Sequence, residues 1–153
     1  MRRLTIVLGV AGLILVMASY IITDIGEMGG SPLDRIGGMI IDFDPILKVA
    51  TMLLAVATVV MVFGSLPQLA RPSASPDTDM LMVLTYGSVG VGLVAAAYGV
   101  YNISRAVQNI GPVSFPVMAP SVAEAVLMAA IGLIVGAIGA GLRAIIEARK
   151  TGS

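Results

Sequence analysis

The chain has 153 residues, 58% of them hydrophobic and 12% charged, with nine Lys/Arg balanced by nine Asp/Glu. A soluble domain carries about 25% charged residues, so this composition is that of a membrane protein. The zero net charge offers nothing to nucleic acid, and the absence of Cys and His excludes disulfide frameworks, thiolate nucleophiles, Cys/His metal sites and histidine acid–base catalysis.

Charge-free runs predict the elements in chain order. Leu4 to Thr23, Val49 to Ala70, Met80 to Ser104 and Ala125 to Leu142 carry no charged residue. Each is close to the ~20 residues that a helix needs to cross ~30 Å of hydrocarbon. Backbone polar groups inside lipid must be paired within their own segment, so the runs should be helical. We expect helices over about 4–23, 46–66, 80–104 and 121–142, in one membrane domain covering residues 1–153. Arg2 and Arg3 before the first run imitate a secretory signal, with Met17-Ala18-Ser19 as a passable cleavage region. The run exceeds the ~7–15 residues of a signal core, which favours an uncleaved anchor. A further uncharged stretch, Ala106 to Ala123, contains Pro112, Pro116 and Pro120 and reads as a connector near the surface.

Four spans put both termini on one side. That side holds Arg2, Arg3, Arg71, Arg143, Arg149 and Lys150, and the other only Arg35, Lys48 and Arg105. The positive-inside rule makes the richer side cytoplasmic. The first outer loop carries Asp24, Glu27, Asp34, Asp42 and Asp44, which the rule neither requires nor forbids.

Glycines punctuate the last two runs, at Gly87, Gly90, Gly92 and Gly99 and again at Gly132, Gly136, Gly139 and Gly141. Small residues let helix backbones approach closely, and packing is what joins helices in lipid. Two readings stay open: tight packing within one bundle, or protomers packing these helices around a central element. Glu124 borders the fourth apolar run, and an acid there is either functional or a cap. Ser121 followed by Glu124 fits a capping box in the first turn of that helix. Thr51, Thr58, Thr85, Tyr98, Tyr101 and Asn102 are the polar groups of the second and third runs, with the tyrosines suited to an interfacial belt. No Walker loop, dinucleotide fingerprint or catalytic carboxylate pair is present. Neither an enzyme nor a cofactor is expected.

The stretch GLVAAAYGV from Gly92 resembles the third-helix signature of the MotA/TolQ/ExbB family of ion-driven stator and energiser subunits. APSVAEAVLMAAIGL, from Ala119 to Leu133, is similar to the family's entry into its last helix, and the interval between the two blocks fits. GGMIIDFDPILKV from Gly37 is similar to the stretch that enters the family's second helix.

The resemblance implies an all-α protein of four transmembrane helices in a homo-oligomeric ring, a pentamer. Such a ring surrounds a single-span partner of the MotB/TolR/ExbD kind, which carries the ion-binding Asp. It implies a multi-pass protein of the bacterial inner membrane that contributes to a proton-driven complex. Glu124 matches the family's acid at the start of the last helix, which implies a structural or gating role. Gly92, Gly99 and Gly132 match its packing glycines. Ala129 stands where the family places its last-helix Thr, and Ala96 where ExbB-type members place a third-helix Thr and proton-driven MotA members also have Ala; with Tyr98 and Glu124 they complete the candidate ion-path positions. The family's prolines near Val89 and Ile138 are missing, and the long cytoplasmic segment has shrunk to Pro67–Asp79, which removes the surface for a flagellar rotor. Alanine offers an ion no oxygen, so a non-conducting scaffold or accessory subunit is the alternative.

Overall fold

A computed structural model describes residues 2–25, 44–70 and 78–151. Among them are four helices and no strand: α1 (Arg2–Ile25), α2 (Pro45–Ala70), α3 (Thr78–Ile110) and α4 (Phe115–Thr151). Three stretches are long and apolar enough to cross a membrane, Pro45–Pro67, Asp79–Ile110 and Phe115–Arg149. In α1 the described apolar stretch is Leu8–Ala18, shorter than the other three. Asp24 falls in the last turn of α1, while Glu27, Asp34 and Asp42 of the first outer loop, and Arg71 of the 71–79 loop, lie outside the described residues.

Helix starts and stops follow local chemistry. Asp44 caps α2: its Oδ1 accepts from Ile46 N at 3.0 Å and its carbonyl accepts from Lys48 N at 3.0 Å. Pro45 sits where a missing N–H costs nothing. Helix α3 continues past Arg105 to Ile110, because one charged residue ends an apolar run without ending a helix. It stops at Gly111, whose φ of +95° suits the left-handed position after a helix. Gly111 N donates to Val107 O at 2.9 Å, and Pro112 prevents continuation.

The expected connector over Ala106–Ala123 is therefore corrected to residues 111–114. Pro116 falls in the first turn of α4, where its N–H would have no helical partner. Pro120 removes one backbone bond from the second turn without ending the helix. The capping-box reading of Ser121 and Glu124 is corrected with it. Helix α4 begins at Phe115, so both residues lie in its interior.

Helix α4 is the hub, packed against α1, α2 and α3. It runs antiparallel to α3, with Gly99 beside Ala125, Gly92 against Gly132 and Thr85 against Gly139. Those pairs advance by seven residues on each helix, the repeat that keeps helices in contact through a left-handed supercoil. Helix α1 lies on another side of α4, also antiparallel, with Gly12 beside Ile134, Gly9 beside Ala137 and Thr5 beside Gly141. Helix α2 runs parallel to α4, since Thr51 meets Met128 and Met61 meets Gly139. Its buried Leu47, Leu54 and Met61, also seven apart, enter a core completed by Leu81, Ala95, Leu127, Met128 and Val135.

Candidate functional site: a seam and a recess

Closest approach occurs at Gly92 and Gly132. A Cβ built on Gly92 would lie 2.6 Å from Gly132 Cα and 2.9 Å from Met128 O. The reciprocal Cβ on Gly132 would lie 2.7 Å from Gly92 Cα and 2.9 Å from Ser88 O. Backbone cannot step aside as a side chain can, so these two positions admit glycine alone without moving a helix. Farther along, Gly99 faces the Ala125 methyl, and Gly136 meets Val89 Cγ2 at 2.5 Å. A Cβ on Gly139 would collide with the Thr85 hydroxyl and lie 2.6 Å from Met61 Sδ. With Gly141 beside Thr5, six of the eight singled-out glycines thus serve contacts within one chain. Gly87 and Gly90 are exposed with nothing within 4 Å of a built Cβ, Gly87 at the edge of an apolar groove that Leu53, Leu54 and Ala57 of α2 form with α3.

At the end of the bundle remote from Thr5 and Gly141, α2, α3 and α4 diverge around a recess of about 410 Å³. Its walls are Asp44 and Leu47 from α2, Gly99, Asn102, Ile103 and Ala106 from α3, and Ser121 and Glu124 from α4. The start of α2, the last turns of α3 and the first half of α4 thereby bring two carboxylates, an amide and a hydroxyl to one space. Glu124 is half-buried, whereas Asp44 is exposed and engaged in capping α2. Sequence inspection misses Asp44 as a neighbour of Glu124. The Asp-Pro pair ahead of an uncharged run signals a helix start, but only packing shows which helix faces it.

Of the other candidate ion-path residues, Ala96 and Ala129 are half-buried, and Tyr98 packs against the core. None of the three lines the recess with Glu124. Hydroxyls deeper in the bundle turn back on their own helices. Thr51 donates to Leu47 O, Thr58 to Leu54 O, Ser65 to Val62 O, Thr85 to Leu81 O and Ser88 to Leu84 O, all within 2.7–2.9 Å. Such back-bonding satisfies a hydroxyl that has no water to bond. Among the described residues no group of three or more acids that could hold a metal ion is found.

No family model, curated protein or solved structure matches this chain.

Proposed function

We propose that the chain is a stator-like subunit of a proton-motive-force-driven energy-transducing complex. In this reading it crosses the bacterial inner membrane four times, with both termini cytoplasmic. Several copies form a ring around the transmembrane helices of a single-span MotB/TolR/ExbD-like partner, which supplies the ion-binding Asp. One observation carries the proposal. The two sequence blocks that resemble the stator family, from Gly92 and from Ala119, lie on helices whose backbones touch at Gly92 and Gly132. A close-packed α3–α4 pair is the part a ring would use as its repeating wall, and Gly90, exposed with nothing within 4 Å of a built Cβ, leaves room on α3 for a neighbour. Glu124, in its recess beside Asn102, takes the gating or positioning role.

Native mass spectrometry of the complex, extracted gently from its own membrane, tests this directly. Five copies with two of a single-span, Asp-bearing subunit is the expected result. A monomer, or one copy inside an unrelated assembly, overturns it. With a partner in hand, Glu124→Gln should impair assembly or ion-dependent function, and no effect on either removes the role assigned to Glu124.

A second reading, a non-conducting scaffold or accessory subunit, is favoured by a different observation. The candidate path positions Ala96 and Ala129 carry no oxygen, and five hydroxyls of α2 and α3 donate to their own backbones. A proton-leak assay on vesicles containing chain and partner separates the two: a scaffold adds no conductance, whereas a stator does.

A further inference from the structure

Helix α3 is 33 residues long, about 50 Å at ~1.5 Å per residue, whereas a bilayer measures ~30 Å across its hydrocarbon and ~40–45 Å including headgroups. Asp79 at its start is exposed and charged, so it belongs in a headgroup layer or beyond. From there Ile110 is about 46 Å along the axis, which carries the helix end into the opposite headgroup layer. A second marker agrees. Arg105 lies over the Tyr101 ring at 6.0 Å to the centroid, and both are exposed. Tyrosine and a snorkelling arginine are the pair expected where hydrocarbon gives way to headgroups.

Past Arg105, the α3–α4 hairpin projects beyond the start of α2, since Asp44 and Leu47 sit level with Gly99, Asn102 and Ala106 around the recess. No charge occurs from Ala106 to Ala123. Ile110 is 79% exposed, Val117 68% and Phe115 46%, and the exposed polar residues beside them, Gln108, Asn109 and Ser114, are uncharged. Large apolar side chains that project from a hairpin tip mark an interaction surface.

We propose that this tip is an interfacial anchor. Ile110, Phe115 and Val117 seat among the headgroups and upper acyl carbons on the bilayer face opposite Thr5 and Gly141. The anchor fixes the depth of α3 and α4, and with it the depth of the Glu124 recess. It requires only that α3 and α4 span the membrane, and holds for stator and scaffold alike.

The chain contains no Trp, so Phe115→Trp introduces a single tryptophan, which is excited at wavelengths the four tyrosines do not absorb. The full-length variant, reconstituted in phosphatidylcholine vesicles, should emit to the blue of tryptophan in water. Lipids brominated near the glycerol end of the acyl chain should quench it more strongly than lipids brominated at the chain end or aqueous iodide. Quenching by iodide without quenching by bromolipid would mean a tip standing in water and overturns the proposal. So does blue-shifted emission untouched by either quencher, which would mean a tip covered by another protein surface or a second copy. Strongest quenching by chain-end bromines overturns the assigned depth. Ile110→Trp, checked for retained helicity by circular dichroism, gives an independent result should Phe115→Trp fail to fold.

Discussion

Helices α2 and α4 are both apolar enough to span a membrane, yet they are held in different ways. Half of the apolar 18-residue window that qualifies α4 to span is buried inside the bundle, against 22% of α2's. Helix α4 meets α3 backbone to backbone at glycines, whereas α2 attaches through the buried side chains of Leu47, Leu54 and Met61. In lipid there is little hydrophobic gain in moving a leucine from acyl chains to a protein interior, so association depends on packing. A glycine seam makes that packing dense and intolerant. A side-chain contact is looser and forgiving, because leucine and methionine can change rotamer.

The largest expected effect follows from breaking the seam. Gly92→Leu places a branched side chain where even a Cβ would be 2.6 Å from Gly132 Cα, so the helices must separate. Overpacking typically costs about 1–3 kcal/mol and can exceed that where backbone must move. We expect the upper end or loss of the folded bundle, read as helix loss at lower denaturant in detergent by circular dichroism.

On the α2 side, Leu54→Ala empties a fully buried position in the core. The change costs about 2–5 kcal/mol in water-soluble cores, and the lower part of that range is expected here because lipid supplies no transfer penalty. An effect as large as that of Gly92→Leu would erase the contrast between the two attachments.

Gly87→Ala tests the loosely filled groove between α2 and α3. With nothing within 4 Å of the added methyl, the fold should be unchanged or gain up to about 1 kcal/mol of helix propensity. If native mass spectrometry shows assembly lost while the bundle keeps its stability, Gly87 lies between copies.

Smallest of all is Ser121→Ala. An N-cap serine replaced by alanine costs about 1 kcal/mol, but Ser121 stands inside α4 and should give a change of only a few tenths. A full capping cost would restore the shorter helix.

Much of the fold was legible in the chain itself. Four charge-free runs are helices because an apolar run long enough for a bilayer leaves the backbone no other way to pair its polar groups. Helix ends were less legible. Arg105 and Glu124 bounded the runs by charge, yet α3 stops at Gly111, where the backbone takes a positive φ, and α4 starts before two of the prolines expected to exclude it. Proline breaks a helix through its position in the turn, which composition does not reveal.

Sequence by itself determined the membrane character, the four helices found among the described residues, and the small residues on which close contacts depend. Only the tertiary structure decided which glycines meet. Gly92 and Gly132 are forty residues apart and touch, whereas Gly90, two residues from Gly92, faces outward. It likewise decided that Asp44 shares a recess with Glu124 while Ala96 and Ala129 do not. The physical reason is rotational. A helix turns its residues by about 100° per step, so which face meets a neighbour depends on how several helices settle together, and no single segment encodes that angle.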